Sequence, residues 1–180
     1  TLDIKLNAKA GKVFGKADYK FKPIQPTVDS VYLNAVNIST TKVIVNGASA
    51  KFVQDSAGLT VFFNPKLKWD TNNSMSIVYE ATPRKGLYFI GWDKNISNKK
   101  NDKDYIRNQI WTQGQGIDNR HWIPCYDDVN DKLLTQTTIT FDSAYTVVSN
   151  GVLKSKRLNS DGTYTWNYAM NKPMVPYLIM

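Results

Sequence analysis

Hydrophobic and polar residues alternate with a period of two along most of the chain. Between residues 13 and 21, Val13, Ala17 and Phe21 occupy odd positions, whereas Lys16 and Lys20 occupy even ones. Because successive side chains of a strand point to opposite faces, this stretch predicts a β-strand with one apolar and one charged face. The opening residues 2–6 repeat the pattern, and further short β-type runs lie at 31–33, 43–45, 59–63, 75–79, 135–141, 147–149 and 164–168.

Turn-forming dipeptides divide these runs. Asn46-Gly47, Asn150-Gly151 and Asp161-Gly162 each carry residues that readily take the positive φ angles of tight turns. No window has convincing helical periodicity, and residues 128–134 are long enough for one helical turn only. Short strands without helical crossovers predict an all-β fold of antiparallel sheets packed as a sandwich, with little or no helix.

The two ends of the sequence both read as interrupted strands. There is no initiator Met and no signal peptide at the start, and residues 176–180 form an apolar β-type run. We therefore expect residues 1–180 to be a single domain cut from a longer protein. No targeting segment is recognisable, which leaves a cytoplasmic and an extracytoplasmic location both open. The polar stretch 93–105 is predicted to be a long exposed loop.

Composition excludes several classes of protein. No run of about 18 apolar residues occurs, so the sequence predicts no membrane span. The chain has one Cys, which excludes an intrachain disulfide, and one His. Because catalytic zinc sites commonly take about three protein ligands, usually including histidines, no metal site is expected within these residues.

The chain is basic, with 23 Lys and Arg against 15 Asp and Glu and a formal charge of +8. Its early lysines alternate with apolar residues, which is typical of the solvated face of a strand. Nucleic-acid-binding proteins instead focus their basic residues into one patch, often within a recognisable module. We therefore expect no nucleic-acid partner.

Two constellations have the residue types of catalytic sites but the wrong spacing. His121 and Cys125 are four residues apart, but Pro124 argues against a helix there, and an extended chain separates them by about 13 Å. Asp127 and Asp128 are neighbours, which on a strand face opposite ways, so they do not form a glycosidase-type pair. Both sets are predicted to have structural or turn-capping roles, and no catalytic residue is expected in this chain.

Gln113 and Gln115 form the candidate binding site. In an extended segment both side chains, together with Trp111, point to one side, with the glutamines about 7 Å apart. The flanking Gly114 and Gly116 permit the close approach of another chain or a ligand. Two side-chain carbonyl oxygens on one face can accept hydrogen bonds from an ammonium or amide group.

An ordered series of motifs surrounds this segment. It comprises Trp-Thr-Gln-Gly-Gln at 111–115, Trp-Ile-Pro-Cys-Tyr-Asp at 122–127, Asn-Asp-Lys at 130–132 and Tyr-Thr-Val-Val-Ser-Asn-Gly at 145–151. Earlier and later parts fit the same series: 14–17, 33–35, 43–47, 85–89 and 173–178. The whole chain thereby resembles the N-terminal domain of the M1 family of zinc aminopeptidases.

The resemblance implies a large saddle-shaped β-sandwich that packs against a thermolysin-like catalytic domain. In that family a Thr-Gln-x-Glu segment at the domain interface helps to bind the free α-amino group of a peptide substrate. By position, Gln113 matches the family glutamine, and Gln115 stands where glutamate is usual. The leukotriene-epoxide hydrolase branch of the family also carries glutamine there, so the substitution is compatible with activity.

The resemblance also implies which parts of the enzyme lie elsewhere. The His-Glu-x-x-His motif, its third ligand and the Gly-x-Met-Glu-Asn motif are absent from these 180 residues. The parent protein is then expected to be a zinc hydrolase whose catalytic domain is missing here, and the present chain alone is expected to be inactive. Residues 122–127 are interpreted as structural support behind the glutamines. A stand-alone β-sandwich that binds carbohydrate or protein remains the alternative, motivated by 5 Trp and 10 Tyr.

Overall fold

The computed structural model describes residues 1–93, 100–103 and 105–180, and this part of the chain is built from β-strands. Its only helical elements are short 3₁₀ turns at Asn119–His121 and Pro176–Leu178. The strands are β1 (Leu2–Asn7), β2 (Lys12–Phe21), β3 (Thr27–Asn34), β4 (Ile38–Val45), β5 (Ala48–Ser49), β6 (Phe52–Gln54), β7 (Gly58–Lys68), β8 (Asn73–Ala81), β9 (Gly86–Ile90), β10 (Gln109–Gln113), β11 (Leu133–Asp142), β12 (Val152–Leu158) and β13 (Thr163–Met174).

The strands form three sheets. The largest has eight strands in the order β12-β13-β11-β1-β2-β8-β4-β5, the second has the order β3-β7-β6, and β9 pairs with β10 in the third. Pairing between the described strands is antiparallel except for β1 with β11, which is parallel. The predicted antiparallel architecture thus contains one parallel pair, which sequence alternation does not reveal.

Register places the apolar positions on one side of the large sheet. Ile4 lies opposite Gly15, and Leu2 lies opposite Ala17, so these residues share the inner face. The alternate residues, such as Lys5 and Lys16, are exposed on the outer face. The solvated lysine face expected from the sequence is therefore the outer surface of this sheet.

A continuous core joins the sheets. Leu59 and Val61 of β7 are fully buried together with Val13 and Ile77 of the large sheet, and Leu87 of β9 joins the same cluster. The predicted all-β sandwich is confirmed. Its saddle shape, implied by the resemblance, stays a prediction.

One contact in this core depends on the absence of a side chain. A Cβ built on Gly15 would lie 2.2 Å from the ring of Tyr79, its cross-strand neighbour. Tyr79 is buried across the inner face because Gly15 leaves that space empty.

Some predicted elements take other forms. Asn46-Gly47 makes the expected tight turn between β4 and β5, with φ of 49° and 83°. Residues 147–149 are not a strand, although the Tyr168 hydroxyl donates to the Val147 carbonyl at 2.8 Å. The apolar run at the end contains a 3₁₀ turn, because Pro176 offers no N–H to a strand partner.

The predicted loop 93–105 lies partly outside the described residues; within it, positions 93, 100–103 and 105 are exposed. Neither 3₁₀ turn, nor any other helical segment of the described ranges, is long and apolar enough to cross a membrane.

Candidate functional site

Strand β10 presents one side to the core and one to solvent. Ile110 packs against the core, whereas Trp111 and Gln113 are exposed, as the alternation predicts. The Trp111 ring stacks on Tyr88 of β9 with centroids 4.8 Å apart. Trp111 and Gln113 therefore share the exposed face, on which Trp111 is held by its stacking with Tyr88.

The chain turns directly after Gln113. Strand β10 ends at that residue, Gly114 opens a turn, and the Asp118 N–H donates back to the Gly114 carbonyl at 3.4 Å. The turn brings the two glutamines together, so that Gln113 Nε2 donates to Gln115 Oε1 at 3.3 Å. The extended segment expected from the sequence therefore ends at Gln113, because Gln115 lies in the turn, and the two side-chain amides are in direct contact.

This contact leaves acceptors facing solvent. Both side chains are exposed, and a carbonyl oxygen has two lone pairs, so Gln115 Oε1 keeps one after accepting from Gln113. Gln113 donates through its nitrogen, which leaves its own Oε1 available. Two neighbouring carbonyl oxygens suit a group with several donors, such as an ammonium.

Two glycines let the surrounding backbone approach this turn. A Cβ on Gly86, which pairs with Gln113, would lie 2.1 Å from the Asp118 carbonyl oxygen. A Cβ on Gly114 would lie 2.5 Å from the Asn119 side chain and from the Tyr177 carbonyl oxygen. The close approach expected at Gly114 is therefore made by the chain itself.

Asn119 is a site residue that the sequence did not single out. It is fully buried; its Nδ2 donates to the carbonyls of Pro176 at 2.7 Å and Ile179 at 3.2 Å, and its Oδ1 accepts from Trp122 Nε1 at 2.8 Å. An asparagine flanked by Asp118 and Arg120 resembles a surface residue, so only the tertiary structure identifies it as an anchor.

The segment 122–127 is hydrogen-bonded to the 3₁₀ turn Asn119–His121, which follows the glutamines. Trp122 and Cys125 are buried, and Cys125 forms a β-bridge with Asn34 of β3. The carboxylate of Asp127 is almost inaccessible and accepts from the Arg120 backbone N–H at 3.1 Å and from Arg120 Nε at 3.3 Å. The predicted structural role holds for these residues, whereas Tyr126 is 52% exposed.

The single thiol and imidazole do not form a nucleophilic pair. Burial raises the pKa of Cys125 well above its ordinary value, which keeps the thiol protonated and unreactive. Burial also lowers the pKa of the half-buried His121. Within the described residues, no three His, Cys, Asp or Glu side chains come together as metal ligands. The donor set of this part of the chain does not fit a catalytic zinc ion.

The chain is similar along its length to known proteins. Residues 1–178 match the family model of the peptidase M1 N-terminal domain. Leucine aminopeptidase 2 of the yeast Vanderwaltozyma polyspora is 22% identical over 182 residues, which cover 99% of this chain and 27% of that protein.

Solved structures share the fold. A mutant M1 zinc metallopeptidase from Deinococcus radiodurans, bound to a Tyr-Ser-Ala substrate, superposes with a TM-score of 0.81 at 13% identity, over 98% of this chain and 39% of that chain. Yeast LTA4 hydrolase superposes with a TM-score of 0.74 at 18% identity, over 99% of this chain and 27% of that chain. The chain thus spans only about a quarter to two fifths of the length of these relatives.

Proposed function

The chain belongs to the peptidase M1 N-terminal domain family, and from this premise we propose that it forms the substrate-pocket rim of a longer zinc aminopeptidase. The rim binds the free α-amino group of a peptide through Gln113 and Gln115. The catalytic domain of the same polypeptide is the partner against which this domain packs.

The observation that carries this proposal is the contact between the two glutamine amides. An α-ammonium group has three N–H donors; Gln115 Oε1 keeps one lone pair after accepting from Gln113 Nε2, and Gln113 Oε1 offers a second acceptor. The stacked rings of Trp111 and Tyr88 limit the movement of the strand that carries Gln113. Two side chains already joined by a hydrogen bond lose less conformational freedom when the amine binds than two independent side chains would.

The chemistry of peptide hydrolysis belongs to the longer polypeptide. Zinc supplied by the catalytic domain would activate the attacking water. The described residues of this chain bring no ligand set for that ion, so their contribution is to bind and orient the amine. We therefore expect no hydrolysis by the 180-residue chain alone.

The test uses the full-length, zinc-loaded protein and chromogenic aminoacyl anilides. A hydrogen bond to a charged group contributes about 1.5–3 kcal/mol, so Gln113→Ala should raise KM by about tenfold or more. Gln109→Ala is the matched control, because Gln109 is exposed on the same face of β10 but lies away from the turn. Folded, zinc-loaded protein that leaves the anilides intact would refute the aminopeptidase assignment.

The alternative of a stand-alone binding module makes a different prediction. Sugar-binding aromatic residues should cluster on one face, but the exposed rings of the described residues are dispersed. They lie on four strands, at Phe14 of β2, Tyr32 of β3, Phe62 of β7 and Trp111 of β10, and outside the strands at Trp69, Tyr105 and Tyr126. Saturable glycan binding by the chain that is lost in Tyr32→Ala or Phe62→Ala would favour this alternative.

A further inference from the structure

We propose that Asn119 is the positioning residue of the glutamine turn (residues 113–116), linking it to the segment 176–180. The meaning of this link for amine binding rests on the function proposed above. Asn119 follows the turn closely, four residues after Gln115, but lies 57 residues before Pro176.

The hydrogen-bonding capacity of the Asn119 side chain is committed to the protein. Both amide protons have acceptors in the segment 176–180, namely the carbonyls of Pro176 and Ile179. The Oδ1 atom accepts from the indole of Trp122. A fully buried amide with these three partners is held in one orientation, because any rotation leaves a buried polar group unpaired.

The glutamine turn rests directly on this amide. The Cβ position of Gly114 lies 2.5 Å from Cγ and Oδ1 of Asn119, so only a glycine backbone can approach so closely. The same position is 2.5 Å from the carbonyl oxygen of Tyr177. Gly114 separates Gln113 from Gln115, so a displacement of Asn119 or of Tyr177 moves the hinge between the two glutamines.

A second asparagine supplies the comparison needed to separate positioning from general stability. Asn150 holds the same segment: its Nδ2 donates to the Leu178 carbonyl at 2.9 Å, and its Oδ1 accepts from the Met180 N–H at 2.6 Å. Asn150 is not among the three nearest neighbours of the Gly114 Cβ position, whereas Asn119 is. The two residues therefore share one structural task but differ in their contact with the turn.

The first experiment compares Asn119→Asp with Asn150→Asp in the 180-residue chain. Each change keeps the shape of the side chain but replaces its Nδ2 donor by a carboxylate oxygen. That oxygen faces the carbonyl oxygens to which Nδ2 donated and repels them, so both variants should melt at a lower temperature. NMR spectra should show shifted Gln113 and Gln115 side-chain amide resonances in Asn119→Asp alone. Equal shifts in both variants, or none in either, would overturn the positioning role.

A second variant keeps the test decisive if Asn119→Asp fails to fold. Gly114→Ala leaves every bonding group of Asn119 in place and acts through the close contacts of its new Cβ with the Asn119 side chain and the Tyr177 carbonyl oxygen. It should move the indole N–H resonance of Trp122, which reports on Asn119 Oδ1. An unchanged indole resonance would show that the contact does not transmit displacement, and the proposal would fail.

The last experiment measures amine recognition in the full-length, zinc-loaded protein. Leucine hydroxamate and its analogue without the α-amino group share the metal-binding group, so the ratio of their inhibition constants isolates the amine. Asn119→Asp should reduce this ratio by about tenfold, the equivalent of one hydrogen bond to a charged group, while Asn150→Asp should preserve it. If Asn119→Asp weakens both inhibitors equally, its role is only structural.

A different result would refute the proposed function. If the unmodified protein binds both hydroxamates with the same affinity, the amine site itself is absent. The NMR comparison still decides whether Asn119 positions the glutamine turn, because that measurement requires neither zinc nor substrate.

Discussion

The ion pair between Arg120 and Asp127 allows a quantitative test of the fold. The Asp127 side chain is 1% exposed and that of Arg120 is 20% exposed. Asp127→Ala removes the acceptor of the Arg120 backbone N–H and of its Nε and leaves the guanidinium without its counter-charge. Of the hydrogen bonds from Arg120 to residue 127, only that from Nη2 to the backbone carbonyl remains. Breaking a buried pair costs about 3–5 kcal/mol, and the residual exposure of Arg120 places our expectation near the lower end, about 3 kcal/mol.

Thermal unfolding of the purified chain measures this loss. For a domain of this size 1 kcal/mol shifts Tm by about 2–4 °C, so Asp127→Ala should lower Tm by about 6–12 °C. The neighbouring Asp128 is the control, because it accepts only from the N–H and side chain of Asn130 in a local turn. Asp128→Ala should cost about 1 kcal/mol, the usual net value of such hydrogen bonds.

A double-mutant cycle tests the physical cause. Arg120→Ala and Asp127→Ala should be non-additive by about 1–3 kcal/mol, since each single change leaves the other charge unpaired. Additivity within about 0.5 kcal/mol would refute the reasoning, because independent sites behave in that way. Equal losses of stability in Asp127→Ala and Asp128→Ala would refute it as well.

Four further predictions concern other parts of the molecule. Gly15→Ala should destabilise the chain by about 1–3 kcal/mol through overlap with the Tyr79 ring, as measured by urea unfolding. The buried Cys125 thiol, whose pKa is raised by burial, should react with an aromatic disulfide reagent only in denaturant. Because burial lowers the folded-state pKa of His121, the unfolded chain takes up the proton first; stability should fall as pH drops below about 6.5, and less so in His121→Gln. In the full-length enzyme Gln115→Glu should lower KM, since a charge-assisted hydrogen bond is about twice as strong as a neutral one.

Each of these expectations has a contrary outcome. If Gly15→Ala costs as much stability in a Tyr79→Leu variant as in the unmodified chain, the ring contact is not the cause. Rapid labelling of the folded thiol would contradict the burial of Cys125. Identical pH profiles for the unmodified chain and His121→Gln would remove His121 as the cause, and an unchanged or higher KM would exclude a charge effect at position 115.

The predicted elements illustrate where sequence patterning succeeds. Strand β2 was predictable because one face is buried, so its side chains must alternate between core and solvent. Strand β12 escaped prediction for the opposite reason: it lies at the sheet edge, and all its residues are exposed, so no alternation is required. The parallel pairing of β1 with β11 was equally invisible, because their contact joins residues more than 130 positions apart.

At the glutamine site, too, one feature was predictable from the sequence and another was not. The sequence by itself determined that Gln113 lies on an exposed face with Trp111, because strand geometry fixes that relation. Only the tertiary structure decided that Gln115 turns back to meet Gln113, since the turn is set by the approach of Asn119 and Tyr177 to Gly114. Alternation is a local property of the chain, whereas contacts between distant segments depend on how the whole chain packs.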